Sequence, residues 1–192
     1  MPAIWEVIVT TVSPAGAVHI APMGIREEAG LVLLQPFRPS TTLENVLASG
    51  RAVINYSDDV RIFAGCLTGR RDWATVPADA ITGCRLEGAL AHRELELERT
   101  EEDAVRPRLW CRSVAFRSHA PFRGFNRAQA AVLEGAILVS RLDLLPREKV
   151  EAELRYLTIA ISKTAGPTEL EAWEWLTERI AAHRGASGGA TG

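Results

Sequence analysis

The stretch RPSTTLENVLASG, Arg38 to Gly50, is the most informative part of the sequence, because it joins two apolar strands through a short helix with clear signals at both ends. It follows LVLLQPF (31–37), a continuous apolar run of the buried-strand type, and leads directly into a second strand, RAVINYS. Thr41 and Glu44 have the spacing of a capping box, and Gly50 suits the position just beyond a helix C-terminus. The pattern predicts a strand, a short capped helix and another strand in immediate succession.

The start of this helix is a candidate anion site. The first N–H groups of a helix have no intrahelical partner, and the helix dipole favours negative charge there. Ser40, Thr41 and Thr42 add three hydroxyl groups, and Arg38 adds a charge that can bind an anion through two hydrogen bonds. Two interpretations stay open at this point: the hydroxyl residues only cap the helix, or the loop binds a phosphate group.

Strand signals dominate the first part of the chain. AIWEVIVTTV (3–12) and AVHIAPMGI (17–25) are separated by a turn and predict a hairpin. Pro22 cannot donate a ladder hydrogen bond, so the second strand is expected to end, bulge or lie at a sheet edge there. Two long strand candidates follow at 83–99 and 108–118.

A regular charge alternation marks the first of these long candidates. In HRELELER, Glu94, Glu96 and Glu98 alternate with leucines, which is typical of a half-exposed antiparallel strand. The alternation predicts that all three carboxylates face solvent.

The periodicity becomes helical from Asn126 onward. The segment 128–145 is apolar almost all round, and 146–163 and 166–184 each have one apolar face. In the last two segments these faces consist of Val150, Leu154, Leu157 and Ile161, and of Leu170, Trp173, Leu176 and Ile180. The predicted organisation is a small antiparallel β-barrel or sandwich over 1–122, a C-terminal helical region over 123–184 and a flexible tail over 185–192.

Composition and motifs exclude several functions. The 192 residues carry a net charge of −2 and no long apolar run, so neither nucleic acid nor a membrane is an expected partner. Neither a P-loop nor a dinucleotide fingerprint occurs, and the four histidines have no ligand spacing, so no metal site is predicted. Cys66, Cys84 and Cys111 are odd in number and far apart, which favours free, buried thiols in a reducing cytoplasm.

Four segments taken in order carry a resemblance to a known family. They are IWEVIVTT (4–11), HIAPMG (19–24), STTLENVLASGRAVINYSDD (40–59) and FNRAQAAVLEGAILVSRL (125–142). Together they resemble the domain-of-unknown-function family 447, a group of FMN-binding proteins related to the flavin reductases. The resemblance implies an antiparallel Greek-key split β-barrel followed by a C-terminal helical region. Between about residues 70 and 115 little is similar.

The resemblance also implies a cofactor site for FMN. The phosphate would lie near the helix start, the isoalloxazine ring would pass the second strand, and the strand after the helix would supply one amide. The residues implied are Pro22, Met23, Gly24, Arg38, Ser40, Thr41, Thr42 and Asn55. For two of them another role stays open, because Met23 could fill the core and Asn55 could satisfy neighbouring backbone groups.

A second polar cluster, SHAPFRGFNRA (118–128), lies between the predicted barrel and the helices. A loop with polar tips and aromatic residues beside a cofactor is a typical place for a substrate pocket. The substrate-side candidates are His119, Arg123, Asn126 and Arg127. Asn126 could equally be the N-cap of the next helix. His119 is the candidate acid or base, and the two arginines suggest an anionic substrate or the electron-rich edge of the flavin.

The resemblance therefore implies an FMN-dependent oxidoreductase acting on a small molecule, in a homodimer with the flavin at the interface. The alternative is a non-enzymatic flavin or pterin binding or accessory protein. The family's distribution suggests a link to tetrahydromethanopterin-dependent one-carbon metabolism. A deazaflavin could occupy the same position as FMN, and the electron donor and acceptor stay open.

Overall fold

Six antiparallel strands close into a barrel in the part of the chain that the structure, a computed structural model, describes, residues 3–188. In chain order the elements are β1 (Trp5–Val12), β2 (Val18–Glu28), β3 (Leu31–Leu34), α1 (Thr41–Ser49), β4 (Arg51–Tyr56), α2 (Val60–Leu67), β5 (Thr75–Pro77), β6 (Cys84–Leu86), β7 (Ala91–Glu101), β8 (Arg108–Ser118), α3 (Arg127–Val139), α4 (Arg147–Thr164) and α5 (Pro167–Gly188). The order around the barrel is β1-β2-β3-β8-β7-β4. The predicted fold class, an antiparallel barrel followed by helices, is confirmed.

The chain divides into two compact units. The barrel unit contains the chain up to Asp58 together with Asp72–Phe122, and the helical unit contains Asp59–Arg71 together with the chain from Arg123 onward. Helix α2, although it lies within the first half of the sequence, therefore belongs to the helical unit.

The barrel core forms because apolar residues at alternate positions of the strands point inward. Helix α1 adds Leu43 and Val46 to this core. The strands contribute the buried residues Val7, Val9, Ile25, Val32, Leu34, Ala52, Ile54, Leu95, Leu109 and Cys111.

The ends of α1 are fixed by a hydroxyl cap and a glycine. Ser40 is the N-cap: its backbone is extended, and its Oγ accepts a hydrogen bond from the N–H of Leu43 at 3.3 Å. The predicted box of Thr41 and Glu44 is therefore wrong by one residue, because Thr41 is already the first helical residue. At the other end, Gly50 adopts φ 69°, and its N–H donates to the carbonyl of Val46 at 2.8 Å, as predicted.

Strand β2 accommodates Pro22 at an edge. Pro22 is paired with Ile8 of β1 without a register shift. Among the described residues, β3 pairs only with Arg26, Glu27 and Glu28 of β2, so the part of β2 before Arg26 has β1 on one side alone. Of the three outcomes that the sequence allowed, the edge position is the one found.

The predicted strand over 83–99 is two strands. β6 ends at Leu86 and β7 begins at Ala91, and β6 instead pairs with β5 in a separate two-stranded sheet. This sheet covers the outer face of the barrel, where the hydroxyl of Thr10 donates to the carbonyl of Cys84 at 2.6 Å.

The prediction of a solvated glutamate face on β7 is wrong for Glu94. This residue is 0% exposed, whereas Glu96 and Glu98 reach the surface. Two causes combine: the segment before β6 folds over the strand, and the register against β8 shifts between Glu94 and Leu95. The side chains of Glu94 and Leu95 are therefore both buried, although a regular half-exposed strand would bury only one of two successive residues.

The helical unit has its own apolar core, built from one face of each helix. The predicted faces of α4 and α5 supply Val150, Ile161, Trp173, Leu176 and Ile180 to it. Leu170, which was assigned to the same face, is 52% exposed. The nearby Glu169 is buried instead, and its Oε2 accepts a hydrogen bond from the N–H of Gly166 at 2.9 Å.

The three cysteines are buried free thiols, as predicted. Burial raises the pKa of Cys66 to about 11 and that of Cys111 to about 12. None of the helices in residues 3–188 combines the length and the apolar composition of a membrane span. The tail predicted over 185–192 begins too early, because residues 185–188 still belong to α5; residues 189–192 lie outside the described part of the chain.

Candidate functional site

The N-terminus of α1 presents hydrogen-bond donors to solvent. The three hydroxyl groups predicted to bind an anion differ in their availability. Thr41 is exposed, Ser40 already accepts the bond from Leu43, and Thr42 is 3% exposed on the barrel side of the helix. Leu43 donates its N–H to Oγ of Ser40 and Glu44 donates its N–H to the Ser40 carbonyl, so the N–H groups of Thr41 and Thr42 and the Thr41 hydroxyl are the donors that remain for an anion.

Arg38 lies just before this helix and carries an exposed guanidinium group. Its Nη2 is 2.8 Å from Oε2 of Glu102, and both side chains are largely exposed. Glu102 and Asp103 line the shallow depression beside Arg38 together with Ala104. An anion at the start of α1 would therefore compete with Glu102 for the arginine.

Of the three β2 residues predicted to face the isoalloxazine ring, Met23 lies on one face of the strand, and Pro22 and Gly24 lie on the other. Met23 packs against the barrel core, which is the alternative role that the sequence left open for it. Gly24 lies opposite Glu6 of β1, and a Cβ at this position would come within 2.8 Å of Cγ2 of Ile4. The glycine thus permits a close approach of the β1 side chains. Pro22 and Gly24 share the open edge of β2.

Asn55 fills its alternative role as well. Its side chain is 0% exposed, and its Nδ2 donates to the carbonyl of Ile8 at 3.1 Å and to Oγ1 of Thr10 at 3.2 Å. Its Oδ1 accepts a hydrogen bond from the N–H of Leu86 at 2.7 Å. Both ends of the amide thus join the barrel to the sheet that covers it, so the prediction of a flavin contact is not supported for Asn55.

A buried carboxylate and two histidines form a hydrogen-bonded chain that sequence reasoning missed. Oε1 of Glu94 is 3.1 Å from Nε2 of His92, and Nδ1 of His92 is 2.8 Å from Nε2 of His119. His92 and Glu94 are 0% exposed, whereas His119 is exposed. The two rings are parallel to within 3° with centroids 5.0 Å apart, the geometry of imidazoles joined edge to edge by an N–H···N bond.

The carboxylate of Glu94 is held by backbone groups. Its Oε1 accepts from the N–H of Asp79 at 2.6 Å, and its Oε2 accepts from the N–H groups of Ala80 and Ile81, both at 2.8 Å. Burial opposes the charge, but these bonds and the His92 ring hold the pKa of Glu94 below its usual range. The group is therefore a buried carboxylate anion.

The pKa of His119 is lowered, whereas a histidine that is paired with a carboxylate usually has a raised pKa. Partial desolvation lowers the pKa of His119, the charges of Arg85 and His92 lower it further, and Asp79 acts against them. The neutral ring is thus favoured, with a free nitrogen at the exposed end of the chain.

Metal binding is the other chemistry that these groups permit. One ligand-type atom from each of Asp79, His92 and Glu94 lies within 4.8 Å of the others. However, Glu94 already accepts four hydrogen bonds, which is the full capacity of a carboxylate. The arrangement therefore matches a hydrogen-bonded chain better than a coordination sphere.

Of the other substrate-side candidates, Asn126 is the N-cap of α3. Its Oδ1 accepts from the N–H of Ala128 at 2.7 Å, and its Nδ2 donates to the carbonyl of Thr164 at 3.2 Å. Arg123 and Arg127 are exposed residues of the helical unit. Because His119 belongs to the barrel unit, a shared substrate pocket for these residues stays a prediction.

A signal for the missed pair was present in the sequence. His92 and Glu94 are two residues apart on a strand, so their side chains share one face at hydrogen-bonding distance. The segment that buries them could not be inferred, because its backbone N–H groups come from the irregular turn at 78–83.

Comparison with solved structures identifies the fold. An FMN-bound protein from Methanosarcina mazei is similar with a TM-score of 0.79 and 21% identity, over 93% of this chain and 96% of that chain. The 2-nitrobenzoate 2-nitroreductase of Pseudomonas fluorescens matches 62% of this chain and 66% of its own, at 20% identity and a TM-score of 0.52. Component B of nitrilotriacetate monooxygenase from Bacillus cereus matches 68% and 77%, at 22% identity and a TM-score of 0.52. The fold of the barrel is therefore similar to that of FMN-binding split-barrel proteins.

Comparison with family profiles is more specific. Residues 5–120 match the N-terminal domain of the protein family of unknown function DUF447, and residues 126–178 match its C-terminal part. The chain belongs to the DUF447 family, as the resemblance in its sequence implied. The M. mazei protein is assigned to the same family. No curated protein matches the sequence.

Proposed function

We propose that the protein binds FMN, with the cofactor phosphate at the N-terminus of α1, and uses it in an oxidoreductase reaction on a small molecule. The observation that carries the proposal is the set of donors at that point: the N–H groups of Thr41 and Thr42, the hydroxyl of the exposed Thr41 and the exposed Arg38 guanidinium. The M. mazei relative crystallised with FMN and the reductase with the same barrel support it.

The charges around Arg38 fit a phosphate group. Its ion pair with Glu102 is exposed, and exposed pairs contribute at most about 1 kcal/mol. A charge-assisted hydrogen bond to an anion contributes about 1.5–3 kcal/mol. Exchange of Glu102 for a phosphate, which also gains the α1 N–H groups, is therefore favourable.

The open edge of β2 is the place we assign to the ring system. Backbone groups of residues 22–24 lie on this edge, where the barrel supplies β1 as the one neighbouring strand among the described residues. Bound FMN supplies electron and hydride transfer. The chain itself binds the phosphate, orients the ring and provides His119 as an acid or base.

We also propose a homodimer that covers this edge and encloses the flavin. Ile4 and Trp5, at the start of β1, are 51% and 59% exposed, and Trp5 is paired with Ile25 of β2. Exposed aromatic and branched apolar side chains beside an open strand edge suit a subunit contact. Sedimentation should give twice the monomer mass, and Trp5→Glu should shift the protein towards the monomer. A wild-type monomer at micromolar concentration would contradict the dimer.

The direct test of the cofactor is the absorbance spectrum of the purified protein. We expect flavin bands, and mass spectrometry of the released cofactor distinguishes FMN from a deazaflavin. Arg38→Ala should weaken FMN binding by about 1.5–3 kcal/mol. Arg112→Ala is the matched control, because Arg112 also forms an exposed ion pair, with Glu96 at 2.7 Å. A colourless protein that does not rebind FMN would overturn the proposal.

Activity is tested separately from binding. Anaerobic reduction of the bound flavin by NADH or NADPH, followed by oxidation with small acceptors, would support an oxidoreductase. Bound flavin that no donor reduces would favour a carrier or accessory protein instead. The link to tetrahydromethanopterin-dependent metabolism, which rests on the resemblance, and a cytoplasmic location, which rests on the three cysteines without a disulfide, are further proposals.

A further inference from the structure

The chain of Glu94, His92 and His119 has a defined direction. Glu94 is an anion that only accepts, so Nε2 of His92 carries a proton and donates to it. We assign Nδ1 of His92 as the acceptor of the second bond, so that Nε2 of His119 donates to it. This sequence of donors leaves Nδ1 of His119 as the unprotonated atom of the neutral ring.

The chain is also fixed in place. Three backbone N–H groups orient Glu94, and the backbone N–H of His119 donates to the carbonyl of Leu90 at 2.7 Å. His92, between them, is fully buried. A buried carboxylate that orients one histidine and, through it, a second exposed histidine is more than the barrel needs for stability, because apolar residues would fill the same face without desolvating a charge.

We propose that Glu94, His92 and His119 form a proton relay that opens at His119, where Nδ1 takes a proton from a bound small molecule with an acidic N–H or O–H group. His119 is the proton-exchanging residue, and His92 and Glu94 are positioning residues. In the step, the N–H or O–H bond of the ligand breaks and its electron pair stays on the ligand. The proton forms a bond with Nδ1 of His119, whose Nε2 proton can pass to Nδ1 of His92 beside the Glu94 anion.

The charges that face His119 agree with this class of ligand. Arg85 on β6 acts on the ring electrostatically, and Arg117 on β8 lies opposite His92 in the register. Asp79, from the turn before β6, is 3.6 Å from Nε of Arg117 and 3.9 Å from Nε2 of His92. The two arginines stabilise the anion that remains on the ligand after the proton leaves.

The relay deepens the proposed function but does not rest on it for its test. If FMN binds, loss of a proton from an O–H or N–H group to His119 can accompany transfer of a hydride from the adjacent carbon to the flavin. The ligand would then lose a hydride to the flavin and a proton to His119, which together are two electrons and two protons, and would gain a double bond. Without FMN, the relay and its protonation states are unchanged.

The first experiment observes the tautomers in the wild-type protein. Nitrogen-15 NMR of the histidine rings at neutral pH should show His119 protonated on Nε2 and His92 protonated on Nε2, with the His92 proton shifted downfield by its carboxylate partner. Assignment uses His119→Gln, whose exposed position makes misfolding a minor concern. A neutral His119 ring protonated on Nδ1 would overturn the relay.

The second experiment tests the positioning role of Glu94. Glu94→Gln should lower the titration midpoint of His119 by about one pH unit and change the His92 ring signals, because the anion that stabilises the protonated chain is gone. Glu96→Gln, which removes an exposed carboxylate two residues along the same strand, should change neither. Equal effects of the two variants, or none from Glu94→Gln, would overturn the proposal. Wild-type protein without flavin absorbance would contradict the proposed cofactor but not the relay.

Discussion

Nη2 of Arg38 and Oε2 of Glu102 lie 2.8 Å apart at the start of the only helix that the barrel unit contains among residues 3–188. The arginine that we assign to a phosphate is thus held by an exposed carboxylate in the unliganded chain. Such a pair orients the guanidinium without stabilising it strongly, since both groups remain in contact with solvent.

Removal of this competing carboxylate should strengthen FMN binding. Glu102→Gln leaves Arg38 unpaired and reduces the negative charge near the phosphate, so we expect the dissociation constant of FMN to fall about two- to fivefold. Flavin fluorescence quenching measures the affinity, and the gain should shrink in high salt. Glu96→Gln, which frees Arg112 instead, should have no effect. An unchanged or weaker affinity in Glu102→Gln would argue against a phosphate beside Arg38.

Truncation of Glu94 should be among the most destabilising changes on the barrel. Glu94→Ala leaves the N–H groups of Asp79, Ala80 and Ile81 without an acceptor, and we expect a loss of about 3–5 kcal/mol in the free energy of unfolding. Glu96→Ala should change it by less than about 0.5 kcal/mol. Urea unfolding followed by circular dichroism makes the comparison. Similar losses in the two variants would contradict the contacts of Glu94.

The pH dependence of stability should have two components with the same sign. The folded pKa of His119 is lowered, so the unfolded chain binds more protons there, and stability falls as the pH drops below about 6.5. The folded pKa of Glu94 is also lowered, so its contribution is present above about pH 4.3 and is lost as the pH falls further.

Variants separate these components. As the pH falls from neutral through the His119 range, the urea midpoint of unfolding should decline less for His119→Asn than for the wild type. Other carboxylates with lowered pKa values, Glu101 and Asp103 among them, contribute in the lower range, so only the difference between Glu94→Gln and the wild type reports on Glu94 there. Wild-type stability that rises on acidification below pH 6.5 would contradict the assignment of His119.

The sequence predicted the helices and strands better than it predicted the surroundings of individual side chains. Gly50 ended α1 as expected, because a positive φ after an apolar helix is a local property that the residue itself signals. The N-cap is Ser40 and not the predicted Thr41. Adjacent hydroxyl residues can both cap a helix, and only the path of the preceding chain determines which of them does so. Glu94 was placed wrongly because its partners are backbone N–H groups of the 78–83 turn, which carry no residue-specific signal.

The sequence predicted several residues of the candidate site but not the contacts that link them. Arg38 and Thr41 are exposed at the helix start, where the resemblance placed a phosphate, and His119 was the chosen acid or base. The support behind His119 depends on the pairing of β7 with β8, which brings residues 92 and 119 together across the sheet. Long-range register of this kind follows from the whole barrel and cannot be read from either strand alone.

The last prediction separates the two roles considered for Asn55. Its amide joins β4 to Ile8 and Leu86, so Asn55→Ala leaves a buried N–H and a buried carbonyl with fewer partners. We expect a loss of about 2–4 kcal/mol in the free energy of unfolding, from one or two groups that each cost about 1–3 kcal/mol. Because the side chain is 0% exposed, the folded variant should bind FMN with the wild-type affinity, whereas Arg38→Ala should show the reverse pattern of wild-type stability and weak binding. Titration with FMN at a temperature where Asn55→Ala is folded, alongside its urea unfolding curve, gives both quantities on one sample. Weak FMN binding by a folded Asn55→Ala protein would mean that the amide contacts the cofactor after all, and that the bond to Leu86 opens when the flavin binds.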